Sequence, residues 1–318
     1  MITTIFITLY RIAKNSKIVE SLLKAKKFGK EVFVYTEITA RGDEYHNICN
    51  AHRLEEAGVH VKTNYFNYKV HAKMFLAIDK NGKKIAHIGT GNYNEVTARQ
   101  YTDTHIMTSD PMITNEISNI MTALFEKKVY KPELKNKSTS IFSSPTNFRP
   151  TINSLIDREI EKGYCGRIWI KCNNLCDRDV IAKLYSAGEV GVDVRIICRT
   201  GCAMLPAKNV VIRSKVGLYL EHDRLYIFGD DEFISSADLL FRNISKRLEI
   251  MCRMKYNYVS QEFEKVWYSE NIHELHIVNK PMEYKELTFV SSFFVFICNF
   301  YLKADNIVIG QDFKGGLS

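Results

Sequence analysis

The sequence predicts an α/β protein of two duplicated modules, each a mixed β-sheet flanked by helices. Three observations predict it. Strand and helix patterns alternate along the chain. The alternation restarts after a polar stretch near the middle, and one histidine-centred string occurs in each half.

Taken in order, "TTIFITLY" reads as a buried strand, and "SKIVESLLKAKKFGK" places apolar residues at helical spacing before closing on Gly29. "EVFVYTEI" follows as a strand, "DEYHNICNAHRLEEAG" as a helix ending at Gly58, and "VHVKTNY" as a strand. The segment around His71 reads as a hairpin turning at Asn81-Gly82, a strong two-residue turn signal. "DPMITNEISNIMTALFEKK" is a closing helix. The polar "KNKSTSIFSSPTN" has linker composition. The pattern then restarts with helix "TINSLIDREIEKG", strand "RIWIKC", helix "DRDVIAKLYSAGEVG", and strands "VDVRIIC" and "NVVIRS". The expected organisation is a first module over 1–134, a linker over 135–148, a second module over 149–278 and an apolar tail over 279–318.

Composition bounds the partners. Hydrophobic residues make up 46% and charged residues 25%, a globular balance that excludes a disordered chain. The formal charge of +8 favours an anionic partner such as nucleic acid, a phosphate-rich substrate or a membrane surface. Eight cysteines without a secretory pattern point to reduced thiols and a cytoplasmic location. Cys172/Cys176 and Cys198/Cys202 share a C-x3-C spacing. Each pair starts within a strand and lacks the tight turn of a zinc knuckle, so structural thiols are expected. The N-terminus has no basic region or cleavage site. The most apolar window, 287–302, is interrupted by Ser291, Ser292 and Asn299 and falls short of the ~20 residues that span a bilayer.

The repeat carries the chemistry. His71-x-Lys73 is answered by His222-x-Arg224, and Ile88-Gly89-Thr90-Gly91-Asn92 by Ile234-Ser235-Ser236-Ala237-Asp238. On a strand, residues i and i+2 share a face, so each histidine is expected beside its cation. A fixed cation neutralises phosphate oxygens while a neutral ring nitrogen attacks phosphorus, and a covalent phosphohistidine divides one hard transfer into two easier ones. Gly89 and Gly91 let backbone amides approach a phosphate. The second histidine would protonate a leaving group or hold the moving phosphoryl group. A lone histidine is more often structural, and His46, His52, His60, His87, His105, His273 and His276 are read that way. His71 and His222 differ because their surroundings occur twice.

The paired design is that of the phospholipase D and nuclease superfamily, whose motif is H-x-K-x4-D. Here Asp79 comes one residue late after Lys73, and the second copy has Arg224 and no acid. A longer resemblance is carried by "VHAKMFLAI", "HIGTGNYNEVTARQYTDTHIMTSD", "RLEEAGVHV", "IDREI", "CNNLCD", "YLEHDRLYIF" and "SSADLLFRN". Over about residues 6–278 the chain closely resembles the C-terminal half of bacterial polyphosphate kinase, with the phospholipase-D-like fold that implies.

The resemblance implies reversible transfer of the ATP γ-phosphate to inorganic polyphosphate through phosphorylated His71, with His222 as the second essential histidine. It implies nucleotide contact by Tyr101, ATP contact by Arg199, and phosphate binding by Lys73, Asn92 and Arg224. Arg11 and Arg41 fall in the Mg²⁺–phosphate neighbourhood. Since Mg²⁺ takes oxygen ligands, they are expected on phosphate oxygens beside an ion held by phosphates and water. Arg242, Asn243 and Arg247 are secondary candidates for the polyphosphate path. Implied partners are ATP or ADP and polyphosphate, with Mg²⁺ as cofactor and no nucleic acid. A homo-oligomer or a separately supplied N-terminal half is open, and membrane association is not expected. The family's N-terminal domains have no counterpart here, which implies a shortened first module. Leu218 stands where the family carries arginine, and the segment before His222 is shorter. A non-catalytic polyphosphate- or nucleotide-binding remnant is therefore an alternative reading. A phospholipase-D-like nuclease is a third.

Overall fold

The computed structural model describes residues 1–40, 42–63, 69–126, 128, 130 and 140–274. The first half supplies strands β1 (Ile2–Leu9), β2 (Glu31–Thr36), β3 (His60–Thr63), β4 (Lys73–Asp79), β5 (Lys84–Gly89), β6 (Tyr101–Thr102) and β7 (His105–Thr108). Its helices are α1 (Lys17–Lys27), α2 (Glu44–Glu56) and α3 (Pro111–Phe125). Next come β8 (Ile141–Ser144), α4 (Phe148–Lys162), β9 (Arg167–Leu175), α5 (Arg178–Glu189), β10 (Asp193–Cys202) and β11 (Val210–Lys215). The chain continues through β12 (Leu220–Glu221), β13 (Leu225–Phe228), β14 (Asp231–Ser235), α6 (Phe241–Lys246), β15 (Glu249–Met254), α7 (Tyr258–Trp267) and β16 (Ile272–Glu274).

Local chemistry sets the boundaries. The Ser16 hydroxyl accepts from the Val19 amide at the start of α1, and Gly29 follows its end at φ +76°. Asp110 caps α3 by accepting from the Met112 amide, with Pro111 at the first helical position. Between β4 and β5 the Asp79 carboxylate accepts from the Asn81 and Lys83 amides, and Gly82 takes φ +79°. The loop runs over 80–83, longer than the two-residue turn that Asn-Gly predicts, because this carboxylate organises it. Asp79 is thereby a turn residue.

Two sheets result. The first is six-stranded, β3-β2-β1-β4-β5-β7, and the second eight-stranded, β16-β11-β10-β9-β13-β14-β15-β8. In both, a strand at the centre pairs parallel with the next strand on one side and antiparallel with the hairpin on the other. Register makes the repeat exact at residue level: Ile7 lies opposite Phe75, four residues after His71, and Ile170 opposite Tyr226, four after His222. One core packs α1 and α2 on the first sheet through Val19, Leu22, Val32, Val34 and Leu54. Another packs α4 and α5 on the second through Ile152, Ile156, Val180, Leu184 and Ile196. A third joins the halves, with Met74, Leu76 and Ile117 against Trp169, Leu225, Ile250 and Phe263. Burying a side chain the size of Leu76 contributes about 1.5–3 kcal/mol, so this shared core holds the two sheets together.

The structure differs from the sequence reading in two further places. Residues 141–144, within the stretch read as linker, form β8, paired with β15. Ser143 is bonded locally: its amide donates to Asn147 Oδ1, and its hydroxyl and that of Thr146 bond each other. His71 also precedes β4 rather than lying in it, as His222 precedes β13. No helix among the described residues is long and apolar enough to cross a membrane. The apolar window at 287–302, Arg41, His276 and Cys298 lie outside the described residues.

Candidate active site

Each histidine motif sits where a connecting segment enters the hairpin. Both backbone amides of His71 and Ala72 donate to the Leu248 carbonyl, at 2.9 and 3.0 Å. At the matching place the Asp223 amide donates to the Thr102 carbonyl at 3.0 Å. Each entry segment is thus held by the opposite half of the molecule.

The side chains repeat that exchange. His71 Nδ1 lies 2.9 Å from Glu249 Oε2, and His222 Nδ1 lies 2.8 Å from Asp103 Oδ1. Ser236 donates to Glu249 at 2.6 Å while accepting from the Ile250 amide at 3.0 Å. Thr90 donates to Asp103 at 2.6 Å while accepting from the Thr104 amide at 3.1 Å. The carboxylate, the hydroxyl behind it and the amide behind that correspond position by position. Asn243 adds a third bond to Glu249, at 3.0 Å.

Electrostatics sets the protonation. Burial pulls His71 down to about 4, with Lys73 and Arg224 also lowering it and Glu249 raising it. His222 is likewise pulled down to about 4 by burial and by Arg224. Burial favours the neutral acid of Glu249 and of Asp103, but His71 and Lys73 outweigh it at Glu249, and His222, Thr90 and Arg224 at Asp103. Both carboxylates are therefore ionised acceptors. Each imidazole donates Nδ1–H to its carboxylate and keeps the Nε2 lone pair, the form a nucleophile needs.

The cations differ. Lys73 is buried, donates to the His71 carbonyl and lies 5.5 Å from the Tyr10 ring, which packs edge-on against His71 at 4.6 Å. Burial and Arg224 bring Lys73 down to about 7 despite Glu249. Arg224 is paired with Asp238 at 3.0 Å, and its Nη1 lies 3.2 Å from His222 Nε2 and donates to the Thr90 carbonyl at 3.3 Å. Lys73 acts on His222 and Arg224 on His71, so the two motifs lie close together.

Of the other sequence candidates, Tyr101 packs against His222 with ring centroids 4.9 Å apart. Arg199 is half-buried near Tyr101, Arg224 and Asp238, its Nε without a hydrogen-bond partner among the described residues. Burial holds Arg199 below the usual guanidinium range. Asn92 follows β5 with Oδ1 buried and unpartnered among the described residues. Arg11, near enough to act on Tyr10, is paired with Asp43 at 3.2 Å beside a cavity of about 250 Å³ that Asn94 and His46 also border. Arg247 is near enough to act on Tyr10 and Lys73. Asn243 stands behind Glu249, a supporting position rather than a path-lining one. Among the described residues no group of three or more His, Cys, Asp or Glu is placed to hold a metal ion. Cys172, Cys198 and Cys202 are buried in the core of the second half.

Sequence reasoning missed Glu249 and Asp103. Glu249 carried a signal: a lone carboxylate in the apolar run Leu248–Cys252 is rarely buried without a task. Asp103 stands in the quoted string two residues after Tyr101, with nothing local to distinguish it.

The two sheets of like topology form a phospholipase-D-like fold. A phosphatidylserine synthase of Haemophilus influenzae shares that fold at TM-score 0.63 and 12% identity, over 95% of this chain and 89% of that one. The specific relation is narrower. Models of polyphosphate kinase C-terminal domains 1 and 2 match residues 1–130 and 141–287. The polyphosphate kinase of Salmonella typhimurium is 42% identical over 264 residues, 78% of this chain and 38% of that protein. The crystal structure of polyphosphate kinase from Porphyromonas gingivalis superposes at TM-score 0.73 with 30% identity, over 96% of this chain and 51% of that one. The chain belongs to the polyphosphate kinase family and corresponds to its C-terminal part. It spans 38% of the length of the Salmonella relative.

Proposed function

We propose that this chain carries the phosphohistidine chemistry of a polyphosphate kinase. His71 Nε2 attacks the γ-phosphorus of ATP, the N–P bond forms as the bond to the β-phosphate oxygen breaks, and ADP leaves. A terminal oxygen of polyphosphate then attacks the same phosphorus, releasing His71 and lengthening the chain by one unit. The reverse sequence makes ATP. Little acid–base work is required, since phosphoryl transfer is mostly positioning and charge neutralisation.

One observation carries the reading. His71 is neutral at pH 7, fixed through Nδ1 by an ionised, fully hydrogen-bonded Glu249, and set beside the Lys73 cation. Lys73, the turn around Asn92, and Arg224 neutralise phosphate oxygens. His222, held well below its ordinary pKa, suits holding the moving phosphoryl group better than acting as a standing acid. Arg199 and Tyr101 take the nucleotide side, with Tyr101 offering an aromatic face to adenine. Magnesium belongs to the nucleotide as its counter-ion, so MgATP is the substrate and Arg11 and Arg41 meet its phosphates. Proposed domain limits are 1–134 and, because β8 pairs in the second sheet, 141–278, and a cytoplasmic location accords with the expected reduced thiols.

The test is incubation of the purified chain with γ-labelled ATP and Mg²⁺ beside a His71→Ala control. The expected result is acid-labile, base-stable label on the protein that falls to background in the variant. No label on folded protein would overturn the proposal and leave a phosphate-binding chain without turnover.

A further inference from the structure

We propose that Lys171 is a positioning residue that ties the segment carrying His222 to β9 through Glu221 and Asp223 and so sets its pairing with residues 101–104 of the other half. The proposal deepens the reading of His222 as a phosphoryl-holding group. Residues 220–224 run parallel to 101–104, with Glu221 opposite Thr102 and the Asp223 amide bonded to the Thr102 carbonyl at 3.0 Å. Alternation then sorts the side chains. His222, Arg224 and Asp103 meet in the cleft. Glu221, Asp223, Thr102 and Thr104 gather on the other side around Lys171, which is 2% exposed and ion-paired with both carboxylates.

The cluster is closed by further bonds. Thr102 donates to Glu221 at 3.1 Å, Thr104 to Asp223 at 3.4 Å, and Lys215 lies 3.2 Å from Glu221. Burial opposes the charge on Lys171, yet Asp223 and Glu221 outweigh it and keep the ammonium protonated. In the first half the matching positions are Thr8, Val70 and Ala72, where a hydroxyl donates to the Ala72 carbonyl at 2.6 Å and the rest is apolar packing. The second half needs something stronger because a cavity of about 270 Å³ borders Lys171, Glu221, Asp223 and Asp103. With room behind it, the entry segment is kept against Asp103 by the ion cluster rather than by close packing. A buried ionic group used to fix register is the best-attested role for such clusters.

The experiment follows the ring nitrogens of ¹⁵N-histidine-labelled full-length chain, whose shifts report the tautomer. The unsubstituted protein should show His222 locked in the Nδ1–H form. In K171M that lock should be lost, giving the mixed tautomers of a solvated ring, while His71 is unchanged and K171R restores it. The triple variant K171M/E221Q/D223N leaves no stranded carboxylate, so it separates folding from positioning, and its His222 should remain unlocked. Transfer from labelled His71 to polyphosphate should fall by about 10-fold in K171M, the lower range for an outer partner of a site residue, with label formation less affected. A locked His222 in K171M or in the triple variant would overturn the proposal. So would parallel loss of the His71 and His222 signals in the triple variant. Absence of label in the unsubstituted chain would overturn the functional reading alone, since the tautomer readout needs no turnover.

Discussion

The two histidine sites share one frame and differ in charge. In both, an imidazole donates to a carboxylate of the other half, and that carboxylate is held by a hydroxyl that also accepts a backbone amide. Around His222 the charges are matched: Arg224 on Asp238, Lys171 on Glu221 and Asp223. Around His71 the position matching Asp238 is Asn92 and the cation is a lysine brought down to about 7. Duplication therefore preserved hydrogen-bond geometry while charge diverged. The two halves are thus distinguished by their cations: a lysine brought down to about 7 near the buried Glu249 in one, an arginine fixed on Asp238 in the other.

The comparison can be broken most forcefully at Asp238. Asp238→Asn strands the buried Arg224 guanidinium, and breaking such a pair costs about 3–5 kcal/mol, read as a lower denaturant midpoint. The exchanged carboxylates come next. Glu249→Gln should slow label formation on His71 by about 10- to 100-fold, and Asp103→Asn should leave label formation nearly intact while slowing transfer to polyphosphate by a similar factor. Equal effects of both variants on the labelling step would end the assignment of different roles.

Proton linkage gives a smaller effect. Unfolded imidazoles bind protons near pH 6.5, whereas His71 and His222 in the folded chain do so only near 4. The unfolded state thus binds more protons in that window. Stability is fully present above pH 6.5 and is lost as pH falls toward 4, by up to about 1.4 kcal/mol per pH unit for each ring. Denaturant titrations at several pH values check this, and a flat profile would contradict it. The smallest change sharpens the comparison by converting one half toward the other. Asn92→Asp should raise the Lys73 pKa, so that the fall in label formation expected as Lys73 loses its proton above pH 7 moves to higher pH.

Much of this architecture was legible because its signals are local. Helix α1 carries its own cap and apolar stripe, and β9 and β10 are apolar runs long enough to be read directly. Strand β8 was hidden because Ser143 and Ser144 resemble linker residues until Asn147 and the partner strand β15 supply their bonds. The turn at Asn81-Gly82 was legible, but its length was set by Asp79, whose role needs coordinates.

The sequence alone determined that two His-x-cation motifs occur in matching settings within a duplicated α/β fold. Only the tertiary structure decided which carboxylates serve them. Glu249 lies 178 positions from His71 and Asp103 lies 119 positions from His222. No periodicity reaches so far; these pairs arise when the two sheets dock through their shared core, bringing the entry segment of each half against the hydroxyl-held carboxylate of the other.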